Sequence, residues 1–242
     1  MDVSKIPCLR RLRIFTKRRQ WASKASPSIE EVDDERPYRA QYWLALKVVE
    51  QESHPRDRTR RDKNGYLKRY GLGLTPGNGG GRYEYAGMNQ RDHPEMYRQL
   101  ESAPPRRREI MAAAYIDGYF RQFIKGPWFN AGVEFLMMNG CFNLGPTGVT
   151  VIAQWALEDL GLEVKVDGQW GPETRDTLAV VQESRENVAE FIAAFRKACE
   201  RYAKTSNPVP GLSKESNDAN SNVWAELVNR WNNAITFALS IA

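Results

Sequence analysis

The chain has 242 residues, of which 41% are hydrophobic and 11% aromatic, with seven Trp and a net charge of +5. That is apolar volume enough for one large domain or two small ones, and more than a disordered chain carries. No apolar run approaches the roughly 20 residues that span a bilayer; Cys8, Cys141 and Cys199 have neither disulfide-framework nor metal-ligand spacing, and with only His54 and His93 no histidine-rich metal site is expected.

Residues 1–36 read as an arm. Met1–Arg19 is basic and has no apolar centre of signal-peptide length, so Sec export is not expected. The acidic run Glu30–Glu35 follows a Ser/Pro stretch. A second basic cluster, Arg56, Arg58, Arg60, Arg61 and Lys63, lies further on. Such clusters favour polyanions, either nucleic acid or a bacterial cell wall, or are simply solvated surface. Tyr38–Ser53 has helical periodicity, with Tyr42, Ala45, Leu46, Val48 and Val49 on one apolar arc, and His54-Pro55 ends it. A short hairpin is expected near Tyr66–Leu74, and Pro76–Gly81 is a loop by composition.

From Arg106 the pattern is helix after helix. Ile110, Met111, Ala114, Tyr115, Tyr119 and Phe123 step at helical spacing until Gly126-Pro127. Val133–Phe142 and Val149–Leu160 follow, then the turn Asp167-Gly168-Gln169-Trp170-Gly171-Pro172, with Pro starting the next helix. Leu178 to Tyr202 continues the stripe, 206–216 is a linker, and 217–242 is an amphipathic helix expected to pack on a body spanning 37–205. The fold class is mainly α, with a small β-hairpin element beside a cleft.

Val48–Thr75 carries the chemistry-bearing residues. Glu52 stands at the margin of the apolar arc in the last helical turn, where partial removal from water would keep a carboxyl protonated for acid catalysis. Glu50 flanks the other edge and is the alternative acid. Asp62, between Arg61 and Lys63, is a second carboxylate of the kind that steadies positive charge or orients water. Tyr66, Tyr70 and Thr75 could hydrogen-bond a sugar, and Gly71 and Gly73 would admit it close to the backbone.

In order and spacing, Glu52, Asp62–Tyr66 and Tyr70-Gly71-Leu72-Gly73 resemble the phage-type lysozyme signature. Phe135–Pro146, Ala153–Leu157 and Val166–Thr174 are similar to glycoside hydrolase family 108, with Asn139 where that family carries Asp. The resemblance covers roughly 40–182, with a peptidoglycan-binding-like segment at about 128–182. It implies a lysozyme-like α-helical domain with N-acetylmuramidase activity on peptidoglycan. Glu52 would be the proton donor and Asp62 its partner, with Tyr66, Tyr70, Thr75 and Asn143 along the groove and no metal or cofactor. Two alternatives stay open: a lytic transglycosylase using a single Glu, and a non-catalytic wall-binding module of the same fold. The implied partner is the glycan strand, with no membrane span and no nucleic-acid motif. A protein made in the cytoplasm without a Sec signal would reach the wall through a holin, a virion or a secretion machine.

Overall fold

The apolar arc before His54 forms helix α1, Trp43–Glu52, in the computed structural model of the chain, which describes residues 42–53, 75–76, 83–205 and 222–242. Tyr42, Ala45, Leu46, Val48 and Val49 are all buried against the core. Burial of the larger of these side chains stabilises the fold by about 1.5–3 kcal/mol each. The helix stops where Ser53 turns extended and its hydroxyl donates to the Val49 carbonyl at 2.6 Å. The expected arm, Tyr38–Gln41, the hairpin near Tyr66–Leu74, the loop from Gly77 to Gly81 and the linker at 206–216 lie outside the described residues.

The β structure is a small antiparallel sheet in the order β1 (Thr75–Pro76), β2 (Tyr83–Tyr85), β3 (Met88–Asn89). Thr75 stands opposite Glu84, Glu84 opposite Asn89, and Tyr85 opposite Met88. Ala86 and Gly87 turn the chain between β2 and β3 with φ of 46° and 81°. Two positive φ values match the right-handed strand twist of a tight hairpin.

Among the described residues six more helices follow: α2 (Pro94–Ser102), α3 (Pro105–Phe123), α4 (Ala131–Asp159), α5 (Pro172–Val181), α6 (Arg185–Thr205) and α7 (Asn222–Ile241). Proline opens α2, α3 and α5, where its missing N–H costs nothing. The protein is thus mainly α-helical with a small antiparallel sheet. The two helices expected on either side of Gly145-Pro146 join as α4, which breaks at Gly145 (φ 75°, ψ 167°). This central helix packs against α1, α3, α6 and α7. A part-buried triad helps join α3 to α4: Arg121 bonds Asp117 at 2.8 Å and Glu134 at 2.9 Å. Helix α7 lies on α4 and α6 through Trp231, Ala234 and Ala238. The approach is close enough that a Cβ on Gly132 would stand 2.4 Å from the Ala238 carbonyl oxygen, so only glycine fits there. Among the described residues no helix is long and apolar enough to cross a membrane.

The Asp167–Pro172 turn is latched onto α4 by one side chain. Buried Gln154 accepts from the backbone N–H groups of Asp167 (3.1 Å) and Gly168 (2.8 Å), and donates to the Asp167 carboxylate and the Thr174 hydroxyl, both at 3.0 Å. Trp170 donates to the Lys125 carbonyl at 3.0 Å and stacks on Trp128. Gln154→Leu would strand the buried Gly168 N–H and the part-buried Asp167 N–H. It should cost about 2–4 kcal/mol and lower Tm by several degrees, measured by urea and thermal unfolding.

Candidate functional site

The last turn of α1 aims Glu52 inward. Its side chain is only 4% exposed, more deeply placed than the margin position expected from the sequence. One oxygen, Oε2, lies 3.6 Å from Nη1 of Arg230, a half-exposed side chain from α7. The other, Oε1, is buried with no hydrogen-bond partner. An ionised carboxylate removed from water needs a counter-charge and donors. Arg230 supplies the charge, and one acceptor remains unfilled.

Arg230 is itself oriented from α4. Its Nη1 donates to Asn143 Oδ1 at 3.2 Å, while Asn143 Nδ2 donates to the Asn139 carbonyl at 2.9 Å. Asn143 and Asn139 are one helical turn apart, so the pair forms a rigid bracket on the helix face. Asn143, expected to touch substrate, also orients the guanidinium.

The sheet brings a second carboxylate that the sequence reading missed. Glu84, at the centre of β2, has its carboxyl pushed up to about 6, first by burial, then by the negative charge of Glu52, with Arg230 opposing. Thr75, the expected sugar contact, is its backbone neighbour in the strand register. Gly87 holds the hairpin tip against Phe142: a Cβ there would stand 3.1 Å from the Phe142 ring and 3.6 Å from Glu52 Oε2. Phe142 stacks on His93, whose Nδ1 shares a 2.9 Å hydrogen bond with the Tyr115 hydroxyl. Burial pushes the His93 imidazole below its ordinary value, with Asp92 opposing. Rings then continue along α3 through Tyr115, Tyr119 and the exposed Phe123.

Glu50, the alternative acid, has a cation partner on its own helix. It pairs with Lys47 at 3.1 Å along α1 itself. Asp62, Tyr66 and Tyr70 lie outside the described residues. No cluster of three or more His, Cys, Asp or Glu is placed to hold a metal among the described residues. Cys141 and Cys199 are buried free thiols, pushed up to about 12 by burial. Tyr-Glu-Tyr followed by Ala-Gly was the available signal for Glu84: a polar residue between aromatics, before a tight turn. Arg230 adjoins Trp231 at the edge of an apolar stripe, a position with no local mark of chemistry.

Comparison with protein-family models, with curated proteins and with solved structures gave no match. The chemistry therefore has to be read from the side chains. Two acidic groups on different elements, one paired with arginine and the other raised toward neutrality, act on each other electrostatically.

Glu84 titrates above its ordinary value of 4.5, so the folded protein holds this proton to higher pH than the unfolded chain does. The stabilisation this gives is complete below the unfolded pKa and is lost as pH rises through about 6. Glu84→Gln should lack that decline, and denaturant unfolding of both proteins across this interval measures the difference.

Proposed function

We propose that the protein is a lysozyme-like glycoside hydrolase acting on peptidoglycan, cleaving the β-1,4 bond between N-acetylmuramic acid and N-acetylglucosamine with the Glu52–Glu84 pair. The observation that carries this is the placement of two inequivalent carboxyl groups between a helix end and a small antiparallel sheet. The resemblance of Glu52 and its surroundings to muramidases gives the substrate class. The same pair on an unrelated glycan would be chemically equivalent.

The roles differ from those expected on sequence. Glu84 is the better donor, because its burial and its neighbour's charge keep it partly protonated near pH 6. Its proton passes to the glycosidic oxygen as the C1–O bond breaks. Glu52, held against Arg230, steadies the oxocarbenium-like charge at C1. Water then adds to C1, and its proton returns to the Glu84 carboxylate. Asp62, Tyr66, Tyr70 and Thr75 remain proposed groove residues, with Glu50 a less favoured acid because Lys47 engages it. No cofactor enters this scheme. The site of action is the cell wall, reached through a lysis, virion or secretion partner.

Purified sacculi provide the test. Wild type should clear their turbidity and release fragments ending in reducing sugars. Glu84→Gln and Glu52→Gln should each lower the rate by about 10²–10⁴-fold, and the alkaline limb of the wild-type profile should fall near pH 6. Anhydro-sugar ends would make the protein a transglycosylase. Intact sacculi after prolonged incubation with wild type would leave it a non-catalytic wall-binding module.

A further inference from the structure

We infer that Arg230 is a positioning residue that fixes Glu52 as the charged member of the carboxyl pair, so that seating of the C-terminal helix α7 completes the site. This rests on the hydrolase proposed above, which needs one carboxyl charged and the other protonated.

The geometry is specific. Arg230 Nη1 lies 3.6 Å from Glu52 Oε2 and 3.2 Å from Asn143 Oδ1, so one nitrogen ties α7 to both α1 and α4. The Glu52 side chain is 4% exposed, so water cannot substitute for this counter-charge. Among the described residues, Glu52 from α1 raises the Glu84 carboxyl and Arg230 from α7 lowers it. From α4, Asn139, Phe142 and Asn143 are neutral, and His93 behind Phe142 is held toward its neutral form by burial. Without Arg230, two carboxyl groups would compete for one proton, and the enzyme would divide between the productive and the reversed protonation states.

The placement of α7 is equally constrained. Gly132 lets its backbone come against α4 at Ala238, and Phe237 packs on Phe135 and Trp43. These contacts set the height of Arg230 over Glu52. Helix α7 thus contributes a charge as well as apolar cover.

Two measurements on the full chain test this: carboxyl-carbon NMR titration of Glu52 and Glu84, and the pH dependence of sacculus clearance. In Arg230→Gln the Glu84 midpoint should rise above its wild-type position. The alkaline limb should move with it, and kcat should fall about tenfold or more at unchanged KM. Arg230→Lys keeps the charge but not the bond to Asn143, and should keep the wild-type order of titration with a severalfold loss of kcat. It carries the test should Arg230→Gln fail to fold. An unmoved Glu84 midpoint in Arg230→Gln, or a loss confined to KM in either variant, would overturn the inference. A titration shift in a protein whose wild type releases no fragments would sink the hydrolase and leave the charge ordering standing.

Discussion

The ion pair between buried Glu52 and half-exposed Arg230 is the constraint to which the rest of the site answers. Withdrawing a carboxylate from water costs several kcal/mol, and close pairing commonly does no more than offset it. A well-packed apolar residue in its place would serve stability at least as well. The guanidinium is also not in ideal geometry: it stands 3.6 Å from the carboxylate, and Glu52 Oε1 has no hydrogen-bond partner among the described residues. A carboxylate left under-satisfied in a buried position is stabilised less than it could be.

Each neighbouring element holds this pair in place. Helix α1 supplies Glu52 at its final turn, and Ser53 ends the helix there, with the carboxylate turned inward. The hairpin carries Glu84 to the same place through a two-residue turn whose second residue favours glycine, because its φ is 81° and Phe142 lies close against the position of a Cβ. Helix α4 underlies all of them, with Phe142 beneath the hairpin tip and Asn143 beneath Arg230, one residue apart on the last turns before the Gly145 break. The break falls beside the site and leaves the two adjacent residues Phe142 and Asn143 serving different neighbours.

Local pattern carried much of the architecture. The arc of Tyr42, Ala45, Leu46, Val48 and Val49 is buried as its spacing requires, and the stripes through Ile110–Phe120 and Val188–Cys199 form helices with those residues inward. These are properties of one segment at a time, which helical periodicity reports directly. Glu52 could be singled out for the same reason, on a strongly periodic helix, although the pattern put it at an edge and the fold buries it. Glu84 and Arg230 could not be. A strand of three residues gives too little alternation to recognise, and the importance of Glu84 comes from a helix elsewhere in the chain. Arg230 looks like any cation at the edge of an amphipathic helix until that helix is docked. Pairwise chemistry between distant segments is set by packing, and no single segment encodes it.

Asp167–Thr174, the most recognisable motif of the second half, bears on where chemistry can occur. Its polar groups are engaged internally: Gln154 bonds both turn amides, the Asp167 carboxylate and the Thr174 hydroxyl, and the Trp170 indole N–H is given to Lys125. A turn with its donors and acceptors engaged in this way makes a stiff corner and offers a ligand little hydrogen bonding beyond its ring faces. The contrast with Glu52 is one of kind. At the turn, every polar atom that the sequence made conspicuous is satisfied, which is how structure is held. At the end of α1, one buried oxygen has no hydrogen-bond partner among the described residues, and it lies near a carboxyl raised toward neutrality. The motif that stands out in the sequence thus supports the fold, and the under-satisfied acids are a pair that only the packing of α1, the hairpin and α7 brings together.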